Sequence, residues 1–326
     1  MKYLRLTIAT LLGVVALGEM GCVAPIPSAA AVYERVEPAA VEILVNGRMA
    51  GSGSIVDAGG SVLIAAHMLP NASETDVKLE AHSPALGRHP VQWVALDRGH
   101  DLALLQLPAR ETAYPHLQLA RRAPRPGEPV YLYGAPVFRH DVMIAGRVAR
   151  ARPTYEFYDG AFREIVHISA ISPIGTSGGP WVNARGRIFG VQSAAMTIKG
   201  GHQGIAYAAP LASLQTLLET RRDQATPTLQ MGVEELWSQD PGFLKPLPGS
   251  LRGLVVRQLQ PNGPAGRAGL KEWDIITTLD GWPVERTEDY VNALRRHRPG
   301  ETIRMRATDR TGENPRDLTI RLVPIQ

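Results

Sequence analysis

Short apolar runs, each ended by Gly, Pro or Asp, follow one another at regular intervals through the first two thirds of the chain. Helical periodicity between them is weak. The clearest runs are 41–45, 62–65, 91–96, 102–107, 130–133, 142–148, 188–191 and 205–208. Short strands with turn residues between them are typical of β-sandwiches and β-barrels. We therefore predict a mostly β domain that begins near residue 32.

The pattern changes at Pro210, beyond which leucines recur at helical spacing, at positions 211, 214, 217 and 218. Arg221 and Arg222 stand in the last turn, where cations are favourable. We predict one helix that closes a first domain spanning 32–222. The polar stretch 223–228, which contains a proline, is then a linker.

A second, smaller unit spans 229–326. Its apolar runs are 254–256, 275–279, 303–307 and 318–323, and Asp280-Gly281, Pro299-Gly300 and Thr311-Gly312 mark turns between them. The segment 288–297 carries apolar residues at helical spacing. We therefore predict a smaller α+β domain.

Residues 1–31 have the pattern of an export signal. Lys2 and Arg5 precede an apolar run at 6–18, shorter than the about 20 residues of a membrane span. Gly21-Cys22 follows, as in bacterial lipoprotein signals, although Glu19 departs from that pattern, and lipid on Cys22 would anchor the protein. Alternatively, cleavage in the Ala-x-Ala pattern at 29–31 would release a protein without lipid. Both alternatives predict an exported protein of the bacterial periplasm or cell envelope.

Charge excludes few partners. The chain of 326 residues has a formal charge of +4, and its arginine pairs, such as Arg121-Arg122 and Arg295-Arg296, are scattered without interleaved aromatics. We interpret them as solvated surface and expect no nucleic-acid partner. The sequence contains no metal-ligand cluster and no phosphate-binding loop, so we expect no metal and no cofactor.

The hexapeptide at 175–180, Gly-Thr-Ser-Gly-Gly-Pro, is the strongest chemical signal. Its glycines would expose the hydroxyl of Ser177 and direct nearby N–H groups at one point, as an oxyanion hole requires. The pattern also fits the nucleophile elbow of α/β-hydrolases, in which the acid and the histidine follow the serine. After Ser177 the candidate bases are only His202 and His297.

The order histidine, aspartate, serine favours a chymotrypsin-like enzyme instead. His67 ends the apolar run at 62–66, and Asp101 opens the run at 101–105. Each would lie at the edge of a strand facing a cleft. The sequence therefore predicts His67, Asp101 and Ser177 as catalytic residues.

These motifs, together with Gly51-Ser52-Gly53 and the segment 204–210, make the chain resemble the HtrA/Deg family of trypsin-like proteases over 32–326. The resemblance implies a chymotrypsin-like double β-barrel and an oxyanion hole formed by the N–H groups of Gly175 and Ser177. It also implies that Ile205 and Tyr207 border the specificity pocket, and that the chain forms a homotrimer. Ile174 and Met68 depart from the family pattern beside the reacting groups.

The second unit resembles a PDZ domain in the segments 253–256, 264–270 and 273–281. Such domains add a peptide as a strand and bind its carboxylate through backbone N–H groups. On this resemblance Met231, Gly232 and Val233 form the carboxylate-binding loop, although Gln230-Met231 departs from the usual pair. The alternative is a PDZ fold that only spaces or packs the protease.

The sequence thus predicts a serine endopeptidase that cleaves unfolded or misfolded envelope proteins, with a PDZ-like domain that binds peptide C-termini. The alternative is a catalytically idle or gated peptide-binding module. Cleavage assays on an unfolded protein would distinguish the two.

Overall fold

A computed structural model describes residues 27–70, 77–150, 152–158 and 160–325. The predictions for Cys22 and the apolar run at 6–18 lie outside these residues. The described part is mostly β, which confirms the predicted fold class, and a strand overlaps each of the eight apolar runs of the first domain. No helix within it is long and apolar enough to cross a bilayer.

Seven antiparallel strands form the first sheet, in the order β5-β4-β1-β2-β3-β7-β6. Every residue of the interior strand at 61–65 is buried, because this strand is covered on both faces. The strands are β1 (Ala40–Val45), β2 (Arg48–Ile55), β3 (Ser61–Ala65), β4 (Leu79–Ser83), β5 (Gly87–Pro90), β6 (Gln92–Asp97) and β7 (Leu102–Gln106).

The second sheet closes into a barrel because its last strand in space also pairs with its second strand. Its strands are β8 (Pro129–Gly134), β9 (Val142–Val148), β10 (Thr154–Tyr158), β11 (Ala161–Ser169), β12 (Pro180–Asn183), β13 (Ile188–Ile198) and β14 (Gly201–Pro210). Their order is β10-β11-β14-β13-β12-β8-β9, and β9 pairs back with β11. The hairpin of β10 and β11 therefore extends beyond the closed barrel.

Two helices flank the barrels. The helix α1 (Ala29–Val36) is capped by the Ser28 hydroxyl and buries Val32 and Val36, which lie one turn apart on one face. The sequence analysis did not predict α1, since eight residues show too little periodicity. The helix α2 (Leu211–Thr220) begins after Pro210 as expected and buries Leu214 and Leu217 in the first core.

The second unit is a small sheet in the order β16-β17-β18-β20-β21, with β19 beside β18 and three helices packed around it. In β20 buried and exposed residues alternate, as expected for a sheet with one covered face. The elements are β15 (Pro227–Thr228), β16 (Gly232–Glu235), α3 (Pro241–Leu244), β17 (Leu254–Arg257), α4 (Pro264–Arg267), β18 (Ile275–Leu279), β19 (Trp282–Pro283), α5 (Thr287–Leu294), β20 (Thr302–Thr308), β21 (Arg316–Arg321) and β22 (Val323–Pro324).

One hydrophobic core joins the two units. Phe162 on β11 is part of the core of the second unit, and Tyr155 and Phe157 on β10 pack against it. The ring centroids of Phe162 and Tyr290, a fully buried residue of α5, lie 5.7 Å apart. The β10–β11 hairpin therefore belongs to the first domain by its strand pairing and to the second by its packing.

Candidate active site

Neighbouring strands bring His67 and Asp101 together. His67 lies in a single turn of 3-10 helix, Ala66–Met68, directly after β3, and Asp101 directly precedes β7. Because β3 and β7 are paired, with Ala65 opposite Leu102, the two residues meet at one edge of the sheet.

Asp101 holds the histidine by two contacts. One carboxylate oxygen accepts a hydrogen bond from the backbone N–H of His67 at 2.9 Å, and the other lies 2.8 Å from His67 Nδ1. Asp101 adopts a positive φ of 56°, a region that aspartate tolerates better than most residues. This arrangement fixes the ring and leaves its Nε2 for another partner.

Two further groups reach the same carboxylate from β11 and β13. Ser193 Oγ donates to Asp101 Oδ2 at 2.5 Å, and Arg163 Nη1 lies 3.4 Å from Oδ1. Burial alone would raise the pKa of Asp101, but the hydrogen bonds from His67 and Ser193 and the charge of Arg163 outweigh it and lower the pKa. Asp101 is therefore a carboxylate despite being 1% exposed.

Tyr158 completes this buried cluster. Its hydroxyl lies 2.7 Å from Ser193 Oγ, and the Arg163 guanidinium stacks over its ring, with Cζ 4.0 Å from the centroid. Burial raises the pKa of Tyr158 to about 12. Sequence reasoning missed Ser193, Arg163 and Tyr158, because no local motif marks residues that meet Asp101 only through the fold of the second barrel.

The loop that carries Ser177 is held by the two barrels together. Gly175 and Gly178 have φ of +97° and +82°, and a Cβ at either position would clash with a backbone oxygen, of Ala135 at 2.4 Å or of Ser52 at 2.1 Å. The Ser52 N–H donates to the carbonyl of Ser177 at 2.8 Å. The Ser52 hydroxyl donates to the carbonyl of Gly175 at 2.9 Å. The glycines are thus required by close approach as well as by conformation.

Ser177 lies beside the histidine turn but is not hydrogen bonded to it. A Cβ placed on the next residue, Gly178, would lie 3.0 Å from the N of Ala65 and 2.9 Å from Sδ of Met68, which follows His67. Within the described residues no hydrogen bond joins Ser177 to His67. The structure therefore brings the serine loop to the histidine turn and forms the His67–Asp101 half of the predicted triad.

The two N–H groups predicted for an oxyanion hole, of Gly175 and Ser177, donate no hydrogen bond within the part of the chain that the structure describes. The carbonyl of Ile174 accepts from the N–H of Val137 at 2.6 Å. Since a trans peptide unit directs its C=O and N–H in opposite directions, the Gly175 N–H points away from Val137. Neither N–H group is therefore occupied by another group of the described chain.

Ile205 and Tyr207 lie on β14, next to the segment that leads to the serine loop. Ile205 is half-buried and pairs with Ser169, while Tyr207 is buried and its ring packs edge-on against His167 at 5.2 Å. Burial, followed by the nearby charge of Glu156, raises the pKa of Tyr207. Their role in a specificity pocket stays a prediction.

The predicted carboxylate-binding loop is covered. Met231 is 1% exposed, Val233 is 7% exposed, and Gly232 lies between them at the start of β16. A Cβ on Gly232 would lie 3.2 Å from the Phe157 ring. Among the described residues β16 pairs only with β17, so the hairpin side of β16 is the edge at which a peptide would add.

The same hairpin follows the opposite wall, helix α5. Thr154 Oγ1 donates to Glu288 at 3.1 Å, and the Tyr155 hydroxyl donates to Asn292, one turn further along α5, at 2.9 Å. At the tip of the hairpin the Thr228 hydroxyl donates to the carbonyl of Gly160 at 3.1 Å. The hairpin thus contacts both the strand and the helix that border a PDZ peptide groove.

A charged cluster links the end of α5 to the loop before Asp101. Arg295 Nη1 lies 3.2 Å from Glu164 Oε2 and 3.0 Å from His100 Nε2, while His100 Nδ1 lies 2.7 Å from Asp97. Burial and Arg295 act to lower the pKa of His100, but Asp97 and Glu164 outweigh them and raise it. His100, which the sequence did not distinguish, is the neighbour of the catalytic candidate Asp101.

Comparison with known proteins agrees with this architecture. The sequence matches the family model of a trypsin-like peptidase domain over residues 51–191 and that of a PDZ domain over residues 222–321. The structure resembles that of the HtrA-type protease AlgW with decapeptide, with a TM-score of 0.63, 22% identity, and coverage of 91% of this chain and 99% of that one.

Proteins of similar sequence are also named as serine proteases. A probable periplasmic serine endoprotease DegP-like of Ectopseudomonas mendocina is 29% identical over 78% of this chain and 52% of its own length. A putative serine protease HhoB of Synechocystis is 27% identical over 84% of this chain and 66% of its own. The chain therefore spans from about half to two thirds of the length of these relatives.

Fold and site together define a trypsin-like peptidase domain followed by a PDZ domain. In this combination the chain is similar to HtrA-type and DegP-like serine proteases.

Proposed function

We propose that the protein is an exported serine endopeptidase that cleaves unfolded or misfolded envelope polypeptides under the control of its PDZ domain. The observation that carries this proposal is a buried carboxylate, Asp101, bonded to His67 beside a serine loop with two free N–H groups. The periplasmic relatives support export, while lipid on Cys22 and a homotrimer remain proposals from the sequence and the family resemblance.

The proposed chemistry assigns one task to each group. Ser177 Oγ attacks the peptide carbonyl, and His67 takes the hydroxyl proton and later gives it to the leaving amine. Asp101 keeps the proton of neutral His67 on Nδ1 and stabilises the imidazolium that forms. The N–H groups of Gly175 and Ser177 bind the oxyanion. The missing Ser177–His67 hydrogen bond is compatible with this chemistry, because such bonds often tighten only when substrate binds.

Ile205 and Tyr207 are proposed to border the pocket for the residue before the cut. The half-buried aliphatic side chain of Ile205 favours small aliphatic side chains there. Exchange of Ile205 for a larger or charged residue would change the cleavage pattern of a peptide library without changing the cleavage mechanism.

The PDZ domain is proposed to gate the peptidase. A peptide C-terminus that binds at Met231, Gly232 and Val233 must displace the β10–β11 hairpin, since Phe157 lies against Gly232. The same hairpin carries Arg163, 3.4 Å from the carboxylate of Asp101. Displacement of the hairpin from the PDZ domain would thus also move Arg163, which lies beside Asp101 of the proposed triad.

The test is cleavage of reduced casein by residues 27–326, with Ser177→Ala beside a matched control, Ser238→Ala, whose side chain is exposed in the PDZ domain. We expect Ser177→Ala to lower kcat by about 10⁶ and Ser238→Ala to leave it unchanged. Peptides ending in apolar residues should raise the activity of the unsubstituted protein.

A second function is favoured by the covered groove and the unbonded serine, namely a gated peptide-binding module without turnover. Isothermal titration with the same peptides distinguishes the two functions. The binding module would be favoured over the endopeptidase by two results together. The peptides would bind equally tightly to Ser177→Ala and to the unsubstituted protein, and neither protein would cleave casein under any condition.

A further inference from the structure

Four arginines line a cleft on the second barrel. The sequence analysis did not predict this cluster. Arg121 and Arg122, interpreted as scattered solvated surface, are brought by the fold beside Arg185 and Arg187. The four line one open cleft, with Pro124, Glu128, Pro129, Asn183 and Ala184 as the other lining residues. The two segments meet because β8 pairs with β12, with Asn183 opposite Val130.

The cleft has more positive charge than its own acidic residue compensates. Of the lining residues that the structure describes, Glu128 alone is acidic, and it accepts from Arg122 Nη2 at 3.2 Å and from the backbone N–H of Arg125 at 3.0 Å. Among the described residues the side chains of Arg121, Arg185 and Arg187 have no hydrogen-bond or ion-pair partner. Like charges held together in this way favour an anionic ligand.

The lining indicates which anion fits. Guanidinium groups present a planar fork that matches the oxygens of phosphate. Pro124, Pro129 and Ala184 add apolar surface beside the arginines, and none of the lining residues that the structure describes is aromatic. These residues therefore offer no stacking platform of the kind found in single-stranded nucleic-acid sites. Phosphate groups at a boundary with apolar material have this combination in lipid headgroups.

The place of the cleft indicates the source of the phosphate. Arg35 Nη1, on α1, donates to the carbonyl of Arg185 at 2.7 Å, so the first helix of the described chain lies beside the cleft. Cys22, the proposed site of lipid attachment, closely precedes α1 in the sequence, so a lipid there would bring α1 to the membrane. We propose that the arginine cleft binds the phosphates of an anionic phospholipid surface and holds this face of the protease domain against the membrane.

The test uses residues 27–326, which contain all the cores described above and lack the apolar run. Sucrose-loaded vesicles of 3:7 phosphatidylglycerol and phosphatidylcholine are sedimented with the protein, beside vesicles of phosphatidylcholine alone. Binding to the anionic vesicles only, weakened by salt, is expected. In Arg121→Gln/Arg185→Gln/Arg187→Gln the partition coefficient should fall by about 100-fold, since each arginine near such a surface contributes about five-fold.

The matched control is Arg298→Gln/Arg304→Gln/Arg310→Gln, which removes the same charge from exposed positions of the PDZ domain. This variant should retain binding to within about three-fold, and circular dichroism should show both variants folded. Equal losses in the two variants would overturn the proposal in favour of a net-charge effect. Equally tight binding of a 20-nucleotide single-stranded DNA that competes with the vesicles would overturn it in favour of a general polyanion site.

Discussion

The carboxylate of Asp101 is the most closely held group of the site, because three residues contact it and a fourth holds one of the three. His67, Ser193 and Arg163 approach it from three strands or their ends, and Tyr158 holds Ser193 from behind. A buried anion is costly unless it is compensated. The charge of Arg163 and the hydrogen bonds from its neighbours together supply this compensation, so each partner depends on the others.

The first prediction concerns the pair Asp101 and Arg163. We expect Arg163→Met and Asp101→Asn each to lower the free energy of unfolding, because each leaves a buried charge with less compensation. The double variant should lose less than the sum of the two, with a coupling of about 0.5–3 kcal/mol. Urea unfolding of the four proteins completes the cycle, and strictly additive losses would show that the ion pair contributes nothing.

The second prediction is kinetic. Asp101→Asn should lower kcat by about 10⁴, because the amide no longer holds His67 in the tautomer that accepts the serine proton. Asp317→Asn, an exposed carboxylate of the PDZ domain, is the control and should be neutral. Casein cleavage by the two variants measures this, and a loss of less than ten-fold would argue against the assigned role of Asp101.

The residues with local sequence motifs are those that the sequence could identify. His67, Asp101 and Ser177 stand next to apolar runs or between glycines, so position and chain order mark them. Ser193 and Arg163 have ordinary neighbours, and their role follows from the pairing of β11, β13 and β14, which no short window of sequence encodes. The fold class was predictable for the same reason, since regular turns and short runs are local features.

At the scale of elements, the β10–β11 hairpin is the feature that departs most from the sequence analysis. Its residues 154–169 were not among the predicted strands, because its aromatics show no clear alternation. Instead of remaining at the surface, Phe157 and Phe162 pack against each other at 5.0 Å and enter the core of the PDZ domain. One element thus pairs as a barrel strand and packs against β16 and α5 of the PDZ domain.

The third prediction follows from this packing. Phe157→Ala should expose β16 and tighten the binding of peptides that end in apolar residues, because the peptide no longer displaces an aromatic ring. Phe138→Ala is the matched control, since Phe138 is 58% exposed on the protease domain. Fluorescence anisotropy with a labelled peptide measures the affinity. Unchanged affinity in Phe157→Ala would show that the hairpin does not compete for the groove.

The fourth prediction is a pH dependence at the contact between the domains. Because Asp97 and Glu164 raise the pKa of His100 above 6.5 against the effects of burial and Arg295, protonated His100 stabilises the folded protein. This stability is present below pH 6.5 and is lost as the pH rises through the raised pKa. Urea unfolding between pH 6 and 9 should therefore show a decline that His100→Gln lacks. The same slope in both proteins would assign it to other groups.

At the scale of the whole molecule, the two domains share a core and an ion cluster and should not unfold independently. Arg295 donates to Glu164 and to the carbonyl of Gly99, and Phe162 reaches Tyr290 across the same contact. Domains that share buried surface unfold cooperatively, whereas weakly joined ones unfold separately. The linker alone, which sequence composition indicates, would have suggested two independent units.

The fifth prediction tests this cooperativity. Differential scanning calorimetry of residues 27–326 should show one transition, and Phe162→Ala should separate it into two, because the buried ring that connects the cores is lost. A change of this kind in a core costs about 3–5 kcal/mol. Two transitions already present in the unsubstituted protein would contradict a shared core.

Under the proposed gating, the β10–β11 hairpin competes with free peptides for the groove from within the same chain. Through a short connection its local concentration is about millimolar, whatever the abundance of the protein. A free peptide therefore binds with an apparent dissociation constant raised by the small fraction of molecules in which the groove is open. At low concentrations of free peptide C-termini the groove would stay closed, and it would open only when these C-termini accumulate. The molecule would report how much unfolded protein is present rather than whether any is.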